Sequence, residues 1–380
     1  MNNLIERQDS TIHKTFRDRI AFDHECAIYR MLAGSGLAPA LLEQRNLTLV
    51  LPYIEAPSLA AVLNEPADPG RMAEILFIWQ TGFLDRCHGQ SGQWIVLDDL
   101  NPRNLLVTDS GIIGIDFEAW HAGSLTESCA ALPAMIRMMT LPEATKTALA
   151  GQLETRLAGY YGIPEDQLFR QVQTCCSAIS HRRRIMPVLR QSACAVLTGG
   201  RSSRMGTDKA SLLLGGYTFL EHILHTVQIF DRISLSTAQP TEQSLYPEIC
   251  DLIPAAGPAG ALHAILSAAE TEHVMIVPCD TPLLSRKTIL AMYEDLDEDT
   301  DAVVLRCGSR DYPVIGIYRH TVLPVLEQML REKDYRMKDL LSRIRTRYHV
   351  SENEKEIFNV NTPEDLQTIK IGRASCRERV

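Results

Sequence analysis

Apolar and polar positions follow two different rhythms along this 380-residue chain. Up to about residue 185, apolar positions recur at helical spacing over long stretches. Arg71 to His88 and Leu141 to Tyr161 are examples, and both are predicted helices. Beyond that point, short apolar runs alternate with helical segments. Cys194-Ala-Val-Leu-Thr198 reads as a buried strand, Thr218 to Phe230 as a helix and Ile233-Ser-Leu-Ser236 as a strand. Ala259 to Ala269 and Ser285 to Leu296 are predicted helices. His273 to Cys279, Ala302 to Arg306 and Val314 to Tyr318 are predicted strands. This alternation predicts βαβ units around a mostly parallel sheet. The expected organisation is one domain over 1–185, a linker over 186–193 and a second domain over 194–370. The basic run from His181 to Arg190 then falls at the boundary, where it reads as a solvated linker or helix end rather than a nucleic-acid patch.

Composition narrows the class. Hydrophobic residues make up 45% and charged residues 22%, ordinary for a globular protein. No apolar run approaches the roughly 20 residues of a membrane helix. The polar start MNNLIERQDS does not resemble a signal peptide, so the cytoplasm is the expected location. A net charge of −9 argues against a nucleic-acid partner. Ten cysteines without a CxxC pair indicate neither a zinc site nor a disulfide framework. Adjacent Cys175 and Cys176 are expected in a helix near a domain end. The last residues, 371–380, have no periodicity and no apolar face. They read as a non-native tail, like a translated sequencing adapter, and are set aside.

Three motifs in the second half carry chemistry. The first runs from Leu197 through Thr198, Gly199, Gly200, Arg201, Arg204, Met205, Gly206 and Asp208 to Lys209, directly after a predicted strand. Its glycines let the backbone approach a phosphate, and successive N–H groups can form an anion nest. Arg201, Arg204 and Lys209 add positive charge for a triphosphate. The spacing fits neither a Walker A loop nor GxGxxG. The second motif, Pro278-Cys-Asp-Thr-Pro-Leu283, ends an apolar strand. Ligands sit at the carboxyl ends of strands in open α/β sheets, and Asp280 there is a natural Mg²⁺ ligand beside a triphosphate. Helix capping in this segment falls to Thr281 or Ser285 instead. The third motif is Phe358-Asn-Val-Asn-Thr-Pro-Glu-Asp-Leu366. Thr362, Pro363 and Asp365 suit a helix start. Asn359 and Asn361 have no such role and can face a metal or nucleotide.

Together these motifs resemble the molybdopterin guanylyltransferases and their nucleotidyltransferase superfamily. The family loop LAGGxSxRMGxDK is matched with Thr198 in place of alanine. Gly257-Pro-Ala-Gly260 matches a family turn, Asp280 the metal aspartate, and Asn359-Val-Asn361 the closing NxN. Tyr312-Pro-Val-Ile-Gly316 resembles a segment of the acceptor region. The resemblance covers about 194–370. It implies a Rossmann-like three-layer α/β/α fold with GTP and Mg²⁺ as cosubstrates. The acceptor would be molybdopterin or its molybdenum form, with a molybdoenzyme or cofactor chaperone as a further partner. Leu197, Thr198, Gly199, Gly200, Arg201, Gly206 and Lys209 would bind nucleotide. Arg204, Lys209 and Asp280 would be catalytic, with Asp280 and Asn361 as metal ligands. CTP enzymes of the superfamily carry a loop closer to AAGxSxRFGxxK, so the paired glycines here lean to GTP. Cytidylyl transfer, transfer to a sugar phosphate and a cofactor chaperone remain the alternatives.

The first half carries Val96-Leu-Asp-Asp-Leu-Asn-Pro-Arg-Asn104, then Ile112-Ile-Gly-Ile-Asp-Phe-Glu118. An Asp, an Asn five residues on and an Asp after a short strand form a metal-and-phosphate constellation. A turn at Asn101-Pro102 is the purely structural reading. The pattern resembles HGDLxxxNxL…IDFE of the protein-kinase-like fold, nearest the small-molecule and lipopolysaccharide kinases. That resemblance implies an α+β domain using ATP. Lys14 and Glu25 would be the ATP lysine and its helix partner, Asp99 the base, and Asn104 and Asp116 the Mg²⁺ ligands. Leu51-Pro-Tyr-Ile-Glu55 resembles the hinge strand. Leu97 stands where the family has histidine, and no glycine-rich loop precedes Lys14. This half is therefore open to three readings: a weakened kinase, a nucleotide-binding regulator or a scaffold for the second domain.

Overall fold

Short β-branched runs and long amphipathic runs separate the chain into two units in the computed structural model, one from Asn3 to Arg184 and one from Ile185 onward. The structure describes residues 3–64, 68–198, 209–240, 244–360 and 365. Among them, no helix is long and apolar enough to cross a membrane.

The first unit opens with strands β1 (Leu4–Gln8) and β2 (Thr11–Thr15), helix α1 (Arg19–Met31), then β3 (Glu43–Arg45) and β4 (Thr48–Pro52). These strands form an antiparallel sheet in the order β1-β2-β4-β3. Next come α2 (Leu59–Val62), α3 (Pro69–Ser91), β5 (Trp94–Leu97), β6 (Leu105–Thr108), β7 (Gly111–Gly114) and β8 (Trp120–Gly123). The unit closes with α4 (Leu125–Arg137), α5 (Glu143–Tyr161) and α6 (Glu165–Arg190). Asp68 and Gly92 bracket α3 as N-cap and left-handed C-cap, so the apolar period stops where the capping chemistry lies. One core joins the sheet to the helices through Phe22, Tyr29, Trp79, Phe83 and Phe117. Cys175 and Cys176 lie in α6.

The second unit consists of β9 (Ser192–Leu197), β10 (Leu213–Leu214), β11 (Tyr217–Thr218), α7 (Phe219–Val227), β12 (Arg232–Thr237), β13 (Glu248–Cys250), α8 (Gly257–Ala268), β14 (His273–Pro278), α9 (Arg286–Met292), β15 (Ala302–Cys307), β16 (Arg310–Arg319), α10 (Leu323–Arg331), α11 (Met337–Arg343) and β17 (Thr346–Val350). Seven strands form one sheet in the order β13-β12-β9-β14-β16-β15-β17. Alternation along each strand decides the layering. Cys194 and Val196 of β9 face a core shared with α7 and α9. Ala195 and Leu197 face a second core with α8, α10 and α11. The sheet is thus covered by helices on both faces, which is why β14 is buried along its whole length.

One expectation changes. Residues 186–193 are not a loop: they are the end of α6 and the start of β9. Ile185 and Leu189, four residues apart, form an apolar stripe that packs into the second unit's core. The sheet also carries an antiparallel member. β16 opposes both β14 and β15, because a two-residue turn at Gly308, with φ +54°, folds it straight back on β15.

Candidate active site

Strand order places the ligand crevice. From β9 the chain moves outward to β12 and β13, then returns to β14 on the other side of β9. The order reverses between β9 and β14, and ligands bind at the carboxyl ends of strands at such a point. β9 ends at Leu197 and β14 at Pro278, register partners in a parallel pair. The loop motif follows the first, and Asp280 follows the second.

Leu197 is buried, and its carbonyl accepts from the Cys279 amide at 3.0 Å, which locks the two strand ends together. Thr198 donates through its hydroxyl to the Ser236 carbonyl of β12 at 2.9 Å. The Thr198 amide donates to the same carbonyl at 3.0 Å, so an alanine there would keep the backbone tie and lose only the hydroxyl's. Gly199, Gly200, Arg201, Arg204, Gly206 and Asp208 lie outside the described residues, as do Asn361, Thr362, Pro363 and 371–380.

Lys209 Nζ donates to Asp280 Oδ2 at 2.8 Å, so a cation and a carboxylate 71 residues apart meet at the strand ends. The other oxygen, Asp280 Oδ1, is buried and accepts no hydrogen bond among the described residues. An uncompensated buried carboxylate oxygen is costly, and a hard divalent cation would satisfy it. The donor chemistry at Asp280 therefore fits Mg²⁺. The segment before Asn361 is held at the same place. The Val360 amide donates to the Asp280 carbonyl at 3.0 Å. Upstream, Glu356 Oε2 accepts from Ser285 Oγ at 2.9 Å and from the Thr288 hydroxyl. Ser285 also caps α9 by accepting from the Thr288 amide, while the Thr281 hydroxyl bonds back to the Pro278 carbonyl. Asp280 is thus not consumed by capping. A mainly apolar cavity of about 400 Å³ lies at the opposite end of the sheet, lined by Ala193, Ile233, Ile265 and Val274. It contains none of these groups.

In the first unit, four elements bring the predicted residues together. Lys14 of β2 donates to Glu25 Oε2 of α1 at 2.6 Å and to Asp116 Oδ1 at 2.5 Å. Asn104 Nδ2 donates to Asp116 Oδ2 at 3.1 Å. Asp116 has φ +65°, a left-handed conformation uncommon outside glycine. Burial works against the Lys14 ammonium, but Glu25, Asp116 and Glu118 outweigh it and raise its pKa. Burial pushes the Glu25 carboxyl up to about 7, with Lys14 opposing. Glu25 Oε1 is buried without a hydrogen bond among the described residues. Asp99 pairs with Arg182 of α6 at 3.3 Å.

Three residues here escape sequence reasoning. Glu118 lies 3.2 Å from Lys14, and its carboxylate joins those of Glu25 and Asp116 within 4.8 Å. His121 Nδ1 lies 2.8 Å from Asp98 Oδ1. It comes from β8, whose Trp120 pairs with Leu97 at the position where histidine was expected. Arg182 was legible only as part of a charge run. Glu118 ends the IDFE motif, which could have flagged it.

Comparison with known proteins adds the following. Residues 194–349 match the family profile described as MobA-like NTP transferase domain. A probable molybdenum cofactor guanylyltransferase of Flavobacterium johnsoniae is 32% identical over 180 residues, 46% of this chain and 95% of the relative. A molybdenum cofactor guanylyltransferase of Vibrio cholerae is 32% identical over 189 residues, 48% of this chain and 93% of the relative. Among solved structures, molybdopterin-guanine dinucleotide biosynthesis protein A from Archaeoglobus fulgidus is 20% identical with a TM-score of 0.42, covering 48% of this chain and 99% of that one. That last likeness is too distant to weigh.

Proposed function

The C-terminal half of this chain belongs to the molybdenum cofactor guanylyltransferases, and from that premise we propose that it transfers GMP from GTP to molybdopterin or molybdenum cofactor. It is a nucleotidyltransferase. A terminal phosphate oxygen of the acceptor attacks the α-phosphorus of GTP. A new P–O bond forms, the bond from the α-phosphorus to the bridging oxygen breaks, and pyrophosphate leaves. The attacking phosphate is already an anion, so no covalent nucleophile on the protein is needed. Such transfers depend on positioning and on charge neutralisation.

The observation that carries the reading is the Lys209–Asp280 pair at the switch point of the sheet, with a second carboxylate oxygen that is buried and has no hydrogen bond among the described residues. Asp280, with Asn361, would hold Mg²⁺, which when bound neutralises triphosphate charge. Lys209 would bind the phosphates, together with Gly199, Gly200, Arg201, Arg204 and Gly206. Leu197 and Thr198 fix the strand end from which that loop departs. The test mixes the full chain with Mg²⁺, molybdenum-loaded molybdopterin and each NTP in turn, and measures pyrophosphate and dinucleotide product. Product is expected with GTP, and Asp280→Ala should lower it roughly a hundredfold or more. Product with CTP alone would retain the mechanism and correct the base. No product with any NTP from folded protein would overturn the assignment.

For the first half we propose a nucleotide-phosphate site of the protein-kinase-like kind. The Lys14–Glu25, Lys14–Asp116 and Asn104–Asp116 contacts support it. Lys14 would bind ATP phosphates, Asn104 and Asp116 would hold Mg²⁺, and Asp99 would accept the substrate's proton.

A further inference from the structure

The acceptor must reach Asp280 from one side, and the sheet says which. The nucleotide loop departs from the end of β9, and on the far side of β14 the remaining strand ends belong to β16, β15 and β17. β16 is antiparallel to β14, and β15 antiparallel to β16, so β15 runs with β14. The carboxyl end of β15, Arg306-Cys307, therefore lies at the same end of the sheet as Asp280. β15 is two strands from β14, about 10 Å away laterally.

Arg306 is fixed there from two directions. Its guanidinium lies over the Tyr348 ring at 3.5 Å from the centroid. Its Nε donates to Asp311 Oδ1 at 2.6 Å. Yet the side chain keeps 35% of its surface exposed. Arg306 shares a face of β15 with Val304, which pairs with Tyr348 across β17, so the stack is built into strand register. Between Val304 and Leu305 the register with β16 shifts, from Gly316 to Tyr312, and Pro313 to Ile315 bulge out. Bulges cluster beside active sites and re-aim the strand end. The Tyr318 hydroxyl braces this one by donating to the Pro313 carbonyl at 2.7 Å.

A planar cation already laid on one ring offers its other face to a second planar group. It loses little conformational entropy in doing so, because it is held before the ligand arrives. We propose that Arg306, backed by Tyr348 and oriented by Asp311, is the platform on which the planar heterocycle of the acceptor stacks. The acceptor's reacting phosphate then reaches Asp280, two strands away. This rests on the guanylyltransferase reading, and it deepens that reading by giving acceptor recognition a location apart from the nucleotide loop.

The test uses the full chain and two readouts. The first is direct binding of molybdopterin, followed by pterin fluorescence, which needs no turnover. The second is the KM for acceptor and for GTP in the dinucleotide assay. Arg306→Ala should weaken molybdopterin binding and raise its KM at least tenfold, with KM for GTP and kcat within twofold. Arg306→Lys keeps the charge but not the plane and should not restore binding. Asp311→Asn, which leaves the stack in place, should show a smaller loss in the same direction and serves if Arg306→Ala unfolds. Molybdopterin binding unchanged in both Arg306→Ala and Asp311→Asn, or an equal rise in KM for GTP, would overturn the proposal. Wild-type protein that binds molybdopterin through Arg306 yet makes no dinucleotide would instead sink the guanylyltransferase reading and leave the platform standing.

Discussion

Asp98 and His121 show how much a single contact decides. Asp98 lies beside the predicted base Asp99, and its carboxylate meets the His121 ring at 2.8 Å. That hydrogen bond raises the His121 pKa above its ordinary 6.5, with burial opposing. The resulting stabilisation is fully present below 6.5, the unfolded value, and is lost as pH rises through the higher folded value. His121 should therefore titrate above 6.5 when its ring protons are followed by NMR, and Asp98→Asn should bring the midpoint down toward 6.5. An unchanged midpoint would remove Asp98 as the cause. At the other site, Asp280 was legible as a residue but not as a member of a pair. Only the fold shows that Lys209 occupies one of its oxygens and that the other has no hydrogen bond among the described residues.

Strand β16 is the element where pattern and structure differ most. Its apolar run predicts a strand over Val314 to Tyr318, but the strand spans Arg310–Arg319 and bends at a bulge. Gly316 sits beside that bend in close quarters. A Cβ there would come within 2.9 Å of the Tyr318 ring and 3.2 Å of the Val303 carbonyl oxygen. Backbone on one side prevents easy relief, so Gly316→Ala should cost about 1–3 kcal/mol, read as a lowered midpoint in thermal or urea denaturation. A variant as stable as wild type would mean the bulge yields without strain. The short edge strands β13 and β17 were not legible at all, because three to five residues carry too little periodicity. Helices were legible to within a turn where caps mark them, as at Ser285 and Gly92.

On the scale of the whole chain, two units each enclose their own core and their own cluster of charged residues. The Lys14 cluster draws every member from the first unit and the Asp280 cluster every member from the second. Lys14→Met should therefore abolish ATP binding, measured by calorimetry, and leave GMP transfer within twofold of wild type. A parallel loss of GMP transfer in folded protein would show that the two units depend on each other. ATP binding unaffected by Lys14→Met would overturn the kinase-like reading of the first half.

The chain's order of residues was enough for the alternating α/β rhythm, the division near residue 185, and the motifs around Lys209, Asp280, Asn104 and Asp116. Those features are local: a period of two or 3.6, a cap, or a motif a few residues long fixes each one. The tertiary structure decided what depends on contacts between distant residues. It turned the expected linker into the end of α6, because Ile185 and Leu189 have a core to enter. It turned one strand antiparallel through a two-residue turn. It added Glu118, His121 and Arg182 to the first site, and it set Arg306 on Tyr348 at the same end of the sheet as Asp280. Pairings of this kind follow from strand order and register, which residue spacing along the chain does not encode.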